Sequence, residues 1–333
     1  MADDGQMSTR MVRRQTAIFS AVLFAISILL GLGALEIALR LKNSAMTNYD
    51  IEMWRYSKEL KVRSENPALG HVHLKSRSAV LQSVVIRTNE WGLRGGPQAQ
   101  YDKATRRILF LGGSITLGWG VHEEDTVTVR LQRMLQAKGE KVEVLNGGVG
   151  NYNAQRYVER FFQELKGLNP DDIVVQFFLR DAEYLDPGRD NFILRNSQLA
   201  VTTWIAASRL LNRTGEASLY DHYVGVYKES EPGYGAMRES LKKLAEYARQ
   251  NNIRIYLAMT PDVHNLKDYQ FEFVHQRMKI IADEFGYQYV DLLPAFRGLS
   301  PKEVWAMPGD PHPNSLGHKL MAEAILPILA SGK

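Results

Sequence analysis

The chain has 333 residues, of which 45% are hydrophobic and 23% charged. Those are the proportions of an ordinary folded protein with room for one large domain or two small ones, and they exclude a collagen-like, coiled-coil or disordered chain. A net charge of +4 gives no reason to expect nucleic acid as a partner, and the absence of cysteine excludes disulfides, thiolate zinc sites, Fe–S clusters and cysteine nucleophiles.

Residues 17–35 carry no charge and are rich in Ile, Leu, Ala, Val and Phe. As a helix this run is roughly 28 Å long, close to the hydrocarbon thickness of a bilayer. Arg10, Arg13 and Arg14 precede it, while Arg40 and Lys42 follow it. A cleaved signal peptide has a shorter apolar run and a small-x-small site, which residues 35–40 (Leu-Glu-Ile-Ala-Leu-Arg) do not offer. The pattern predicts a cytoplasmic leader over residues 1–16 and a signal-anchor helix over 17–39. The expected protein is single-pass in the cytoplasmic (inner) membrane, with the bulk of the chain extracytoplasmic, or periplasmic.

Residues 40–103 are expected to form a juxtamembrane segment, with residues 78–86 as one strand and 89–96 as a turn-rich loop. From residue 104 the pattern turns regular. A short apolar strand over 107–111 ends in Gly112-Gly113, and residues 125–137 have helical spacing, with Val127, Leu131, Met134 and Leu135 on one face. A strand over 142–145 ends in Asn146-Gly147-Gly148, residues 155–165 are helical, and 172–179 form a nearly continuous apolar strand. Residues 182–235 read as an insertion with a short helix around 204–211. Helices over 237–250 and 271–285 then alternate with strands over 253–259 and 287–291, and a last helix runs over 315–329. Such alternation predicts an α/β, doubly wound parallel sheet with helices on both faces and ligands at the carboxyl ends of its strands.

Two stretches at those ends carry chemistry. In Gly112-Gly113-Ser114, the glycines permit a sharp turn, and Ser114 projects where its hydroxyl can attack a carbonyl and its own N–H can hold an oxyanion. A phosphate loop is excluded, because position 119 is Trp where Gly-Lys-Ser/Thr would be needed. The plain alternative is a tight turn capped by a small hydroxyl residue. Far along the chain, Asp310-Pro311-His312-Pro313-Asn314 precedes the last helix. A serine needs an imidazole base, and a carboxylate must set that imidazole's tautomer. Asp310 and His312 are expected in one loop stiffened by the two prolines, with Asn314 or Ser315 capping the helix. His318 falls inside that helix as a face residue.

Together these residues resemble the SGNH hydrolases, or GDSL esterase/lipase family, and within it the membrane-anchored bacterial branch, over roughly residues 88–330. Asn89-Glu90-Trp91-Gly92-Leu93-Arg94 also resembles the segment that precedes the domain in anchored members. The resemblance implies a flavodoxin-like five-stranded sheet and acyl-ester chemistry without metal or cofactor. It makes Ser114 the nucleophile, His312 the general base and Asp310 its orienting acid. Four departures stand out. Gly113 replaces the family's aspartate. Asn151 stands where the second block has an oxyanion-hole glycine, with Gly148 and Gly150 close by as further candidates. Arg180 replaces the asparagine that is the third oxyanion donor, a loss typically costing about 10²–10³ in turnover. Arg180 can restore that donor, bind an anionic substrate group, or form an ion pair with Asp181 or Glu183. Finally, Asp310 lies two residues before His312 rather than three, which calls for a different loop shape.

Anchoring near the envelope surface points to an acyl ester, first an O-acetyl ester of cell-envelope or exported polysaccharide, as substrate. An O-acetyltransferase using the same triad, and a degenerate binding or scaffold protein of an envelope assembly or polysaccharide-export complex, are the alternatives. Among other residues, His264 is expected in an exposed loop near the cleft, and His71 and His73 on a strand too poor in ligands for a metal. Tyr152, Trp119 and Tyr184 are placed in the core or rim before any sugar-stacking role. Asn212-Arg213-Thr214 matches a glycan acceptor.

Overall fold

In chain order, helix α1 (Asp3–Asn43) is followed by α2 (Tyr49–Glu59) and by two antiparallel pairs, β1 (Lys61–Arg63) with β2 (His71–His73) and β3 (Ser78–Leu81) with β4 (Val84–Arg87). Next come β5 (Arg106–Gly112), the short helix α3 (Ser114–Leu117), α4 (Val127–Ala137), β6 (Val142–Asn146), α5 (Ala154–Arg160) and β7 (Asp172–Phe178). Helices α6 (Phe192–Asn196), α7 (Gln198–Leu211) and α8 (Leu219–Val226) precede α9 (Pro232–Gln250), β8 (Arg254–Thr260), α10 (Glu272–Phe285) and β9 (Gln288–Asp291). The last elements are α11 (Pro301–Val304), the antiparallel pair β10 (Trp305–Met307) and β11 (Asp310–Pro313), and α12 (Ser315–Ala330). This computed structural model describes residues 3–96, 102–186, 191–211, 219–308 and 310–330, so the Asn212-Arg213-Thr214 sequon lies outside the described residues.

The backbone divides into two units, residues 52–189 with 215–333 and residues 1–51 with 190–214. The larger is built on one parallel sheet in the order β6-β5-β7-β8-β9. Because side chains alternate along a strand, Ile108 and Phe110 of β5 enter one apolar cluster and Leu109 and Leu111 the other. Helices α4 and α12 cover the first cluster, and α5, α9 and α10 the second. A strand covered on both faces is mostly apolar, which is why β5 reads as an apolar run after its two arginines and β7 as one broken only by Gln176 after Asp172. The order is the doubly wound, flavodoxin-like one expected, and its switch point lies between β5 and β7.

One strand assignment needs correction. Residues 78–86 are a hairpin: β3 and β4 pair Leu81 with Val84 across the two-residue turn Gln82-Ser83. Both turn residues are left-handed, with φ of +48° and +62°. Such primed turns usually announce themselves with Asn-Gly, and Gln-Ser gives no such signal.

In the smaller unit, residues 13–43 of α1 are long and apolar enough to cross a membrane, with a mean hydropathy of 2.5 in the best window and no burial. Helix α7 begins earlier than its apolar pattern suggests because a carboxylate from α1 caps it. Glu36 accepts from Ser197 Oγ, Gln198 N–H and Leu199 N–H at 2.9, 3.0 and 2.8 Å, taking up donors that a helix start leaves unmet. Asn43 Nδ2 donates to Gln198 Oε1, and Arg209 pairs with Asp50 at 2.7 Å. The outward side of α7 is apolar, with Trp204, Leu210 and Leu211 exposed.

Candidate active site

Ser114 opens α3 directly after β5, at the carboxyl edge of the sheet. The turn that puts it there needs glycine at position 112, where a Cβ would lie 2.1 Å from Thr116 Oγ1 and 2.9 Å from Gln176 O. The helix is one turn long and ends at Gly118, φ +78°. Its C-terminal carbonyls are held by a buried cation: the Arg94 guanidinium donates to Leu117 O, Gly118 O and Val121 O at 2.6, 2.5 and 2.5 Å. Burial draws the Arg94 guanidinium down to about 10, still charged at neutral pH.

The residues expected in a proline-stiffened loop form strand β11 instead, paired with β10. That explains the two-residue spacing. In an extended chain, side chains at i and i+2 share a face, so Asp310 and His312 point the same way. The Asp310 Oδ1–His312 Nδ1 distance is 2.5 Å, and His312 Nε2 lies 2.7 Å from Ser114 Oγ. The His312 backbone N–H also donates to Asp310 Oδ1 at 3.1 Å. Asp310 is fully buried. Burial would raise its carboxyl, but the hydrogen bond to His312, the charge of that ring and a hydrogen bond from Gln82 outweigh it and hold the carboxyl below its usual range. Hydroxyl, imidazole and carboxylate therefore stand in one chain of hydrogen bonds. Asn314 caps α12, accepting from Leu316 and Gly317 N–H at 2.9 and 3.1 Å.

Residues 110–320 match the sequence model of the GDSL-like lipase/acylhydrolase family. The chain belongs to that family. It is an ester-hydrolysing serine hydrolase with the SGNH fold. No curated protein matches it in sequence. Among solved structures it is similar to an acylhydrolase of unestablished function from Bacteroides fragilis, at 18% identity over 70% of this chain and 90% of that one, TM-score 0.39. It is also similar to a catalytic mutant of an acetylxylan esterase from Geobacillus stearothermophilus, at 17% identity over 68% and 95% of the two chains, TM-score 0.46. A third is an α/β hydrolase from the metagenome of Lake Arreo, at 16% identity over 70% and 98%, TM-score 0.45.

The family's second block lies in the turn after β6. Gly148 and Gly150 drop out as oxyanion donors, because Gly148 N–H goes to Asn146 Oδ1 at 3.1 Å and Gly150 N–H to Tyr56 Oη at 2.8 Å. Gly148 is there for space: a Cβ would come within 2.1 Å of Leu117 N. Asn151 has φ +65° and occupies the third position of a turn closed by Tyr152 N–H to Val149 O at 3.3 Å. Asparagine tolerates that left-handed conformation better than other side-chain-bearing residues, so the backbone shape of a glycine is kept without one. The Asn151 N–H donates to none of the described residues.

In the family's third block, Arg180 follows β7. Its exposed side chain pairs with Glu183 at 3.2 Å, the ion-pair alternative among the three open for it. Asp181 does not share that pair; it is buried, accepts from Phe178 N–H at 3.1 Å, and burial pushes its carboxyl up to about 8.

The remaining candidates fall into place around this edge. His264 is half-exposed after β8 and hydrogen-bonded through Nδ1 to the buried Asp262 at 2.8 Å, and that partner raises it. His71 and His73 hold backbone: His71 Nε2 meets Gly150 O at 2.9 Å, and His73 meets Gly92 O through Nδ1 and Tyr56 Oη through Nε2. Burial draws the His71 ring down to about 3, so it is neutral. Trp119 and Tyr152 are core, and Tyr184 is exposed. His318 is buried in α12, where Nδ1 accepts from Val127 N–H at 3.1 Å. Gln82, Tyr56, Arg94 and Asn146 hold the site together without any sequence motif that marks a role for them. The visible signals were faint: a polar pair splitting an apolar strand for Gln82, and an arginine ending a turn-rich segment for Arg94.

Proposed function

We propose that the protein is a membrane-tethered, extracytoplasmic serine esterase that removes acyl groups, O-acetyl first, from cell-envelope or exported polysaccharide. Ser114 is the nucleophile, His312 the general base and Asp310 its orienting partner. The observation that carries this reading is the hydrogen-bonded sequence Ser114–His312–Asp310, with contacts of 2.7 and 2.5 Å.

The chemistry runs in two halves. Ser114 Oγ adds to the ester carbonyl while His312 Nε2 takes its proton. Asp310, ionised and buried, holds the Nδ1–H tautomer and stabilises the imidazolium. In this reading the oxyanion is held by the N–H groups of Ser114 and Asn151. Collapse of the tetrahedral intermediate breaks the C–O bond to the sugar oxygen, which takes the proton from His312. Water then repeats the sequence in reverse on the acyl-serine. If a second sugar hydroxyl replaces water the same site is an acyltransferase. Mass spectrometry of an acetylated oligosaccharide incubated with an unacetylated acceptor separates the two: free acetate alone supports the esterase, acetylated acceptor the transferase.

The membrane reading is supported by α1 and by its cap on α7, whose exposed Trp204, Leu210 and Leu211 extend the apolar surface of the same unit. The three-arginine leader supports a cytoplasmic N-terminus. The pairing of Arg180 with Glu183 favours the scaffold reading at that one position, since it engages the Arg180 guanidinium in an ion pair. Absence of Ser114-dependent turnover on any acetyl ester would decide for it.

A further inference from the structure

The catalytic carboxylate has a second partner, and it comes from outside the region matched by the family. Asp310 Oδ1 faces His312, and Oδ2 accepts from Gln82 Nε2 at 2.8 Å. Gln82 sits at the tip of the β3–β4 hairpin, before residue 110 where the family match begins. We propose that Gln82 is a positioning residue for catalysis: its amide N–H fixes the outer oxygen of Asp310, so that the other oxygen meets the His312 ring in line. This rests on the triad reading above.

Three independent features agree with that role, beyond the left-handed φ of +48° that the two-residue turn itself requires of Gln82. Its backbone is pinned, since Gln82 N–H donates to Oε2 of the buried Glu52 at 2.7 Å. Room for the amide is reserved by Gly120, φ +73°, where a Cβ would lie 2.5 Å from Gln82 Oε1. And Oε1 is buried without a hydrogen-bond partner among the described residues, as expected of an amide oriented for its nitrogen alone. A residue serving only the hairpin would turn its oxygen to a donor or to water.

The effect on the site is electrostatic and geometric. A carboxylate keeps its charge in a buried place by accepting hydrogen bonds, and the groups around Asp310 are His312 on its own strand, Gln82 from the hairpin and the His264–Asp262 pair from the loop after β8. Without Gln82, the Asp310 carboxyl loses one of the hydrogen bonds that keep it ionised and takes up a proton at higher pH, and its side chain is free to rotate away from the ring.

The test uses the full chain in detergent with a chromogenic acetyl ester, comparing wild type, Ser114→Ala, Gln82→Met and Gln82→Asn across a pH series. Gln82→Met keeps the stem and removes the donor. Gln82→Asn suits the left-handed turn better than Gln but is too short to reach. The expected result is a kcat lowered roughly ten- to hundredfold in both variants, the range for losing a hydrogen bond to a charged group. KM stays within about twofold, the acid limb moves to higher pH, and the melting temperature of Gln82→Asn is not lowered. If both variants keep kcat and the acid limb of wild type while Ser114→Ala is dead, the Gln82 role is overturned and the triad stands. If wild type and Ser114→Ala are equally inactive, the triad reading fails and takes this inference with it.

Discussion

Asn151 carries its backbone at φ +65° in the turn that the family fills with glycine. If conformation is what that position needs, Asn151→Gly retains wild-type turnover within about threefold, whereas Asn151→Val, which resists the left-handed region, loses roughly 1–2 kcal/mol of stability and at least tenfold in kcat. Denaturant titration and steady-state kinetics of both variants check this; equal behaviour of Gly and Val would remove the argument. Asp181 makes a second prediction. Folded, it holds its proton up to about 8 because it is buried, whereas an unfolded aspartate loses it near 4. Its contribution to stability is therefore full below about pH 4 and is lost as pH rises toward 8. Asp181→Asn, which keeps an acceptor for Phe178 N–H, should flatten that fall: melting temperatures rise relative to wild type at pH 8 and not at pH 4. Ser114, His312 and Asp310 were legible because each belongs to a short local pattern. Gln82 was not, because its meaning lies 228 residues away in sequence at Asp310.

At the scale of elements, strands and helices of the sheet were legible because β5 and β7 must be apolar on both faces and α4, α9 and α10 on one. The hairpins escaped notice for opposite reasons: β3–β4 lacks a glycine at its turn, and in β11 two prolines argue against a strand although an edge strand of a two-stranded pair tolerates them. The far end of the sheet is tied by charge. Fully buried Asp172 at the start of β7 pairs with Arg106 of β5 at 2.7 Å and Arg254 of β8 at 2.6 Å. Removing it as Asp172→Ala leaves Arg106 with Glu140 and takes from the partly exposed Arg254 its buried carboxylate, and should cost about 1–3 kcal/mol. A thermal melt shows this, and because the pair lies at the amino ends of the strands, kcat of the remaining folded protein should not change. A melting temperature equal to wild type would contradict it.

For the whole molecule, tether and chemistry join: we propose that the apolar N-terminal helix holds an ester-cleaving unit at a membrane. The full chain should stay in the membrane fraction after an alkaline carbonate wash, and release by that wash would contradict the tether. The length and apolarity of α1 were plain in the sequence, while the capping of α7 by Glu36 was not, since it joins positions 162 residues apart. The most direct measurement is intact-mass analysis of the protein treated with a serine-directed fluorophosphonate. A single adduct mapping to Ser114 is expected in wild type, absent in Ser114→Ala and slowed at least a hundredfold in His312→Ala. An unlabelled wild type, or labelling at the same rate without the His312 imidazole, would contradict the triad reading.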